Sequence, residues 1–219
     1  MKKRQVKLLV FDWDGTLADS EALIVGAMEA AIAQLQYQAR SKAQIRDVIG
    51  LGLVEAAQAL FPDMERDHHE LLGNCYRQHY AKCAHETLLF PDVSETLRSL
   101  QQCEYGMAIA TGKSRKGLDH SLRQTGLEGF FHVTRCADET CSKPHPRMLH
   151  EILDELDIQT HHAVMIGDSE YDMQMALNAG MPSIAVSYGV HESTRLLQYK
   201  PLACLDSLAE LLNWLTPPH

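Results

Sequence analysis

The chain has 219 residues, 45% of them hydrophobic and 22% charged, which supplies a core for one domain, or for one domain carrying a sizeable insertion. Its 29 acidic residues outnumber 20 Lys and Arg, for a formal net charge of −9. That balance argues against nucleic acid or an anionic membrane as partner, and an anionic substrate would need a local positive device such as a metal ion.

No apolar run approaches the ~18 residues of a membrane span. Met1-Lys2-Lys3-Arg4 imitates the basic start of a signal peptide, but the apolar stretch after it ends at Asp12, too short for a signal, so a cytoplasmic location is expected. The six cysteines are scattered without a C-x-x-C pair, which favours reduced thiols over a disulfide frame.

In chain order, Val6 to Phe11 is an apolar run without helical spacing, bounded by Asp12 and Gly15, and reads as a buried strand. Ile24, Met28, Ala31 and Leu35 then recur as one helix face, with Asp19 or Ser20 as the cap. Ser41 and Gln44 form a capping-box pattern for a short second helix, which Gly50 and Gly52 break. A third helix runs from Leu53 to Leu60 and stops at Phe61-Pro62. Leu71, Cys75, Tyr76, His79 and Cys83 mark a fourth. No strand is expected between Thr16 and Glu86, so this stretch reads as a helical unit of its own.

From Phe90-Pro91 onward strands alternate with helices. The strand candidates are Met107–Ala110, Phe131–Thr134, Ala163–Ile166, Ser183–Val186 and Leu202–Cys204. Helices are expected near Ser114–Thr125, Arg147–Leu156, Tyr171–Ala179 and Ser207–Leu215. Alternation of this kind predicts an α/β fold, a doubly wound, Rossmann-like parallel sheet, with the first strand belonging to it. The expected division is a catalytic core of residues 1–15 and 87–219 and an inserted helical cap of residues 16–86.

Ligands of an open parallel sheet bind beyond the carboxyl ends of its strands. The first strand ends in Asp12-Trp13-Asp14-Gly15-Thr16, the second in Thr111-Gly112-Lys113 and the fourth in Gly167-Asp168-Ser169-Glu170-Tyr171-Asp172. Ser142-Lys143-Pro144 lies between the third strand and its helix. Taken singly, Asp12 or Asp14 fits a turn before Gly15, Asp168 fits a helix cap and Lys143 fits a solvated loop. Together they deliver four aspartates, a hydroxyl and a lysine to one sheet edge. Asp12 and Asp14 are two apart in extended chain, so their carboxylates share a direction while Trp13 points the other way. Such a pair needs a nearby cation, and oxygen-only ligands suit Mg²⁺. Gly112-Lys113-Ser114 imitates the end of a nucleotide-binding loop, but the first glycine of that pattern belongs at Met107, inside a strand, so the match fails.

The order and content of these segments resemble the four motifs of the haloacid dehalogenase superfamily in its phosphatase form, most nearly the phosphoglycolate phosphatase-like hydrolases with a helical cap after the first motif. The resemblance implies that Asp12 is the nucleophile, forming an aspartyl-phosphate, and that Asp14 protonates the leaving group and then activates water. It implies that Thr111, the N–H of Gly112 and Lys143 bind the phosphoryl group. Mg²⁺ would be held by Asp12, the main-chain carbonyl of Asp14 and Asp168, with Asp172 supporting Lys143 or a metal-bound water. The expected substrate is a small phosphorylated metabolite, phosphoglycolate-like by family. Sugar phosphomutases of the same superfamily favour Glu-Asp where this chain has Gly167-Asp168, which leans toward hydrolysis. A phospho-receiver module also gathers acids, a Thr and a Lys, but would be shorter and lack the helical insertion. The family usually carries Gly at the position of Asp92 and Asn at that of Gly112. Arg46 and the Gly50-Leu51-Gly52 turn are the candidates for contact with the leaving group.

Overall fold

The computed structural model describes residues 6–216. Among them, six strands form a parallel sheet in the order β5-β4-β1-β6-β7-β8. These are β1 (Leu8–Phe11), β4 (Gly106–Thr111), β5 (Val133–Cys136), β6 (Ala163–Gly167), β7 (Ser183–Val186) and β8 (Cys204–Leu205). β1 lies at the centre, with Val10 opposite Ala108 on one side and Met165 on the other.

Its two faces explain why the sequence shows a continuous apolar run and no alternation. Leu9 and Phe11 pack with α5 (Val93–Gln102), α6 (Arg115–Thr125) and α10 (Glu210–Leu215), through Leu97, Leu118 and Leu211. Leu8 and Val10 pack with α7 (Arg147–Leu156) and α8 (Glu170–Ala179), through Met148, Ile152 and Met175. The short α9 (Ser193–Leu196) follows β7. Trp13 continues the Leu9 and Phe11 side as a fully buried core residue.

Between β1 and α5 come α1 (Glu21–Gln34), α2 (Lys42–Asp47), α3 (Leu53–Leu60) and α4 (Arg66–Cys83). They share a core of their own, in which Met28, Ile32, Ile45, Ala57 and Leu72 meet, with Val190 entering from the loop after β7. The Ser41–Gln44 capping box forms as the pattern predicts.

Several expectations need correction. Ala18–Asp19 (β2) pairs antiparallel with Leu88–Leu89 (β3), so a strand does lie just inside the 16–86 stretch, as a ribbon joining its two ends. Two residues carry no readable period. The third core strand begins at Val133 instead of Phe131, because Phe131 turns its ring edge onto Phe11 at a centroid distance of 6.3 Å. The last strand starts at Cys204, since Leu202 is exposed, and the last helix starts at Glu210. α5 has no counterpart among the predicted elements, although Val93, Leu97 and Leu100 recur at helical spacing and are buried. Asp92, which precedes it, holds φ 64°; this left-handed conformation favours glycine and tolerates Asp. No helix among the described residues is long and apolar enough to cross a membrane.

Candidate active site

The site begins where β1 runs out. Asp12 extends the ladder one step, donating its N–H to Ile166 O at 2.9 Å, and the chain then closes on itself as the N–H groups of Leu17 and Ala18 both reach Trp13 O at 2.9 Å. Gly15 makes this turn at φ +84°, and a Cβ there would lie 2.1 Å from Asp168 Oδ2. Glycine therefore serves both the left-handed turn and the close approach of the β6 end.

Lys143 reaches this point from the loop between β5 and α7. Its Nζ lies 2.7 Å from Asp12 Oδ1 and 2.7 Å from Asp172 Oδ1, with all three side chains shut off from solvent. Burial pulls the ammonium down, but the charges of Asp12 and Asp172 outweigh it and hold Lys143 above its ordinary value. Asp172 keeps its other oxygen for the Ser169 hydroxyl at 2.7 Å and the Ser169 N–H at 3.0 Å, in a capping box that starts α8. Asp168 is held too: Thr16 Oγ1 donates to Oδ1 at 2.7 Å and the Val190 N–H to Oδ2 at 2.9 Å.

Carboxylate oxygens of Asp12, Asp168 and Asp172 lie within 4.8 Å of one another, all buried. Burial, which Lys143 opposes, and the charges of Asp172 and Asp168 push the Asp12 carboxyl well above the usual carboxylate range. Burial and then the Asp172 charge push Asp168 up to about 7. Asp12 Oδ2 is buried without a hydrogen-bond partner among the described residues. An oxygen-only donor set with one unpartnered oxygen and this density of negative charge fits a hard divalent cation. Asp172 is already committed to Lys143 and Ser169.

Asp14 sits apart from that trio. Ser20 Oγ donates to its Oδ1 at 2.6 Å, so this hydroxyl occupies the N-cap position of α1 without capping it. Lys113 Nζ lies 2.9 and 3.0 Å from the two oxygens of Asp14 and 3.3 Å from the Tyr80 hydroxyl of α4. The sequence pattern gives Lys113 no role, because it stands in a nucleotide-loop match that fails. The signal that could have found it is its place two residues beyond Thr111 at a strand end.

Thr111 ends β4 with its hydroxyl buried, accepting from the Lys113 N–H at 3.2 Å. Gly112 lies directly under the Gly50-Leu51-Gly52 turn: a Cβ there would meet Leu51 O at 2.4 Å and Gly50 O at 2.7 Å. The turn thus fills the space that an Asn side chain would need. Ser142 Oγ fastens the same turn by accepting the Gly52 N–H at 2.6 Å. Beneath the turn, a cavity of about 500 Å³ is bounded by Asp12, Asp14, Thr111, Gly112 and Lys113 on one side and by Ile49, Leu51, Tyr76 and Tyr80 on the other. Arg46, in contrast, faces Glu21 at 3.1 Å and Gly189 O at 3.2 Å and does not line the cavity. Its expected contact with a leaving group has no support in this arrangement.

Residues 9–186 match the family model described as haloacid dehalogenase-like hydrolase. Over 97% of both chains, the sequence is 31% identical to a phosphoglycolate phosphatase of Vibrio parahaemolyticus serotype O3:K6 (strain RIMD 2210633). It is 28% identical to the pyrophosphatase PpaX of Bacillus mycoides (strain KBAB4), over 95% of this chain and 96% of that one. The fold superposes on the crystal structure of a predicted phosphoglycolate phosphatase from Haemophilus somnus 129pt with a TM-score of 0.87, covering 97% of this chain and 99% of that one at 23% identity.

Proposed function

The chain belongs to the haloacid dehalogenase-like hydrolases and is a phosphatase, and from that premise we propose that it hydrolyses a small phosphorylated metabolite through an aspartyl-phosphate on Asp12, with Mg²⁺ as cofactor. The observation that carries this reading is the Asp12 carboxylate lining the cavity, held at one oxygen by buried Lys143 while the other has no hydrogen-bond partner among the described residues.

In the first step an oxygen of Asp12 attacks phosphorus and the bond from phosphorus to the ester oxygen breaks. Asp14 gives its proton to that oxygen, and the alcohol leaves. Asp14 then takes a proton from water, the water oxygen attacks phosphorus, and the bond to Asp12 breaks to release phosphate. Thr111, the Gly112 N–H and Lys143 would hold the phosphoryl oxygens, whose charge is spread over three positions in flight. Asp12, the main-chain carbonyl of Asp14 and Asp168 would hold Mg²⁺, which supplies positive charge that Lys143 alone does not. Asp172 orients Lys143.

Helices α1–α4, within residues 16–86, act in this reading as a cap over a core of residues 1–15 and 87–219, closing the cavity and selecting the leaving group. Phosphoglycolate is the substrate that the Vibrio relative's name suggests. All six cysteines lie among the described residues and are unpaired, which supports a cytoplasmic location. The direct test is release of p-nitrophenol from p-nitrophenyl phosphate in Mg²⁺. Asp12→Asn should lower turnover by about 10³-fold or more, and a variant retaining a tenth of the activity would show that Asp12 is not the nucleophile.

A further inference from the structure

The chamber beside the carboxylates is far larger than its reacting end requires. Its volume of about 500 Å³ lies in the range that encloses ligands of drug size, whereas the two-carbon leaving group of phosphoglycolate fills a small part of it. This is the volume with the helical unit seated on the sheet edge. The Gly52 N–H donates to Ser142 Oγ at 2.6 Å, and the Tyr171 hydroxyl donates to Asp47 O at 2.9 Å.

The walls are apolar. Ile24 and Met28, one turn apart on α1, line the chamber together with Ile49 and Leu53. Tyr76 and Tyr80, one turn apart on α4, add an aromatic wall, their rings stacked at a centroid distance of 5.6 Å. The charges at the reacting end satisfy one another: Lys143 holds Asp12, and the Lys113 ammonium contacts both oxygens of Asp14. Every other charged side chain that lines the chamber is exposed to solvent. Such a chamber favours an uncharged, apolar body. An aromatic body gains ring contacts with the tyrosine pair and a sulfur contact with Met28, which an aliphatic body of the same size does not.

We propose that Tyr76 and Tyr80 form a subsite for an aromatic ring, and that the preferred substrates are phosphate monoesters of an uncharged alcohol carrying such a ring. This rests on the phosphatase reading, which puts the ester oxygen beside Asp14 and so directs the alcohol into the chamber.

The test compares kcat/KM in Mg²⁺ for 2-phenylethyl, 2-cyclohexylethyl and ethyl phosphate, and for phosphoglycolate. The first three release primary alcohols of similar acidity, so they differ in the body that enters the chamber. The wild-type protein should favour 2-phenylethyl phosphate over ethyl phosphate and phosphoglycolate by about tenfold or more, chiefly through KM. It should also favour the phenyl over the cyclohexyl ester. Tyr76→Leu, or Tyr76→Met if the first fails to fold, should lower that phenyl-to-cyclohexyl ratio by about threefold or more, and Tyr76→Phe should keep it. A wild-type protein that turns over phosphoglycolate or ethyl phosphate best overturns the proposal while the phosphatase reading stands. So does equal use of the two ring esters, or a Tyr76→Leu protein that slows all four substrates alike. Absence of turnover on all four and on p-nitrophenyl phosphate would overturn the phosphatase reading itself, and this proposal with it.

Discussion

Lys143 Nζ stands 2.7 Å from Asp12 Oδ1, and neither side chain reaches solvent. A buried pair of this kind gains its attraction only while both partners remain, because each charge has lost its water. Asp172 on the other side of the ammonium makes the arrangement a triad. One lysine thus holds the proposed nucleophile and is itself held by the helix that follows β6.

Removing the ammonium should therefore cost stability as well as activity. Lys143→Met leaves Asp12 and Asp172 facing each other, and urea denaturation at pH 7.5 without metal should show a loss of about 3–5 kcal/mol. Added Mg²⁺ should restore part of it. A variant as stable as the wild type would mean that the triad contributes nothing net to folding.

Metal removal is the second test. Chelation with EDTA should silence hydrolysis of p-nitrophenyl phosphate, and excess Mg²⁺ should restore it. Mg²⁺ should also raise the Tm of the wild-type protein, by mass action on the folded state. Full activity in chelator refutes the assignment of Asp12 and Asp168 as ligands.

The raised Asp168 carboxyl gives a pH dependence with a definite sign. Its folded value of about 7 lies above the ordinary 3.8, so the folded protein binds this proton more tightly than the unfolded chain does. The resulting stabilisation is complete below about pH 4 and is lost as pH rises to about 7, a few kcal/mol in all. In EDTA, the Tm of Asp168→Asn relative to wild type should climb between pH 4 and 7 and level off above. Saturating Mg²⁺ should flatten the slope, because a metal ligand must be the carboxylate. A difference independent of pH would show that Asp168 titrates alike in both states.

Gly112 tests the closure of the cavity. Gly112→Ala puts a Cβ against the backbone oxygens of Leu51 and Gly50, which have no flexible end to move aside. The Gly50-Leu51-Gly52 turn must lift, at a cost of about 1–3 kcal/mol. Hydrogen exchange at residues 48–53 should quicken while the protection of β1 and β6 is kept. Unchanged exchange would mean that the turn does not rest on Gly112.

Much of this molecule is legible in the chain. The central strands announce themselves as apolar runs because both sheet faces are covered, and Arg147–Leu156 and Ser183–Val186 fall where their patterns place them. A general rule brings Asp12, Asp14, Asp168 and Thr111 to one edge, since parallel strands deliver their carboxyl ends there. Elements with weak local signals are missed or displaced. The β2–β3 ribbon is two residues deep, and Phe131 resembles a strand residue while it packs from a loop.

The pairings belong to the tertiary structure. Asp14 and Lys113 are 99 residues apart, and no period or motif in the chain couples them. Four aspartates and Lys143 alone make an edge short of positive charge, and folding adds a second lysine, Lys113, to it. Arg46, a candidate for substrate contact by its place in the helical unit, is turned away by Glu21 and Gly189. Local sequence determines which residues end strands and start helices, because backbone geometry and burial act over a few residues at a time. Which charge faces which is decided only when the helices between β1 and α5 close over the sheet edge. There desolvation makes every unpaired charge costly, so the partners that geometry brings within reach set the chemistry of the site.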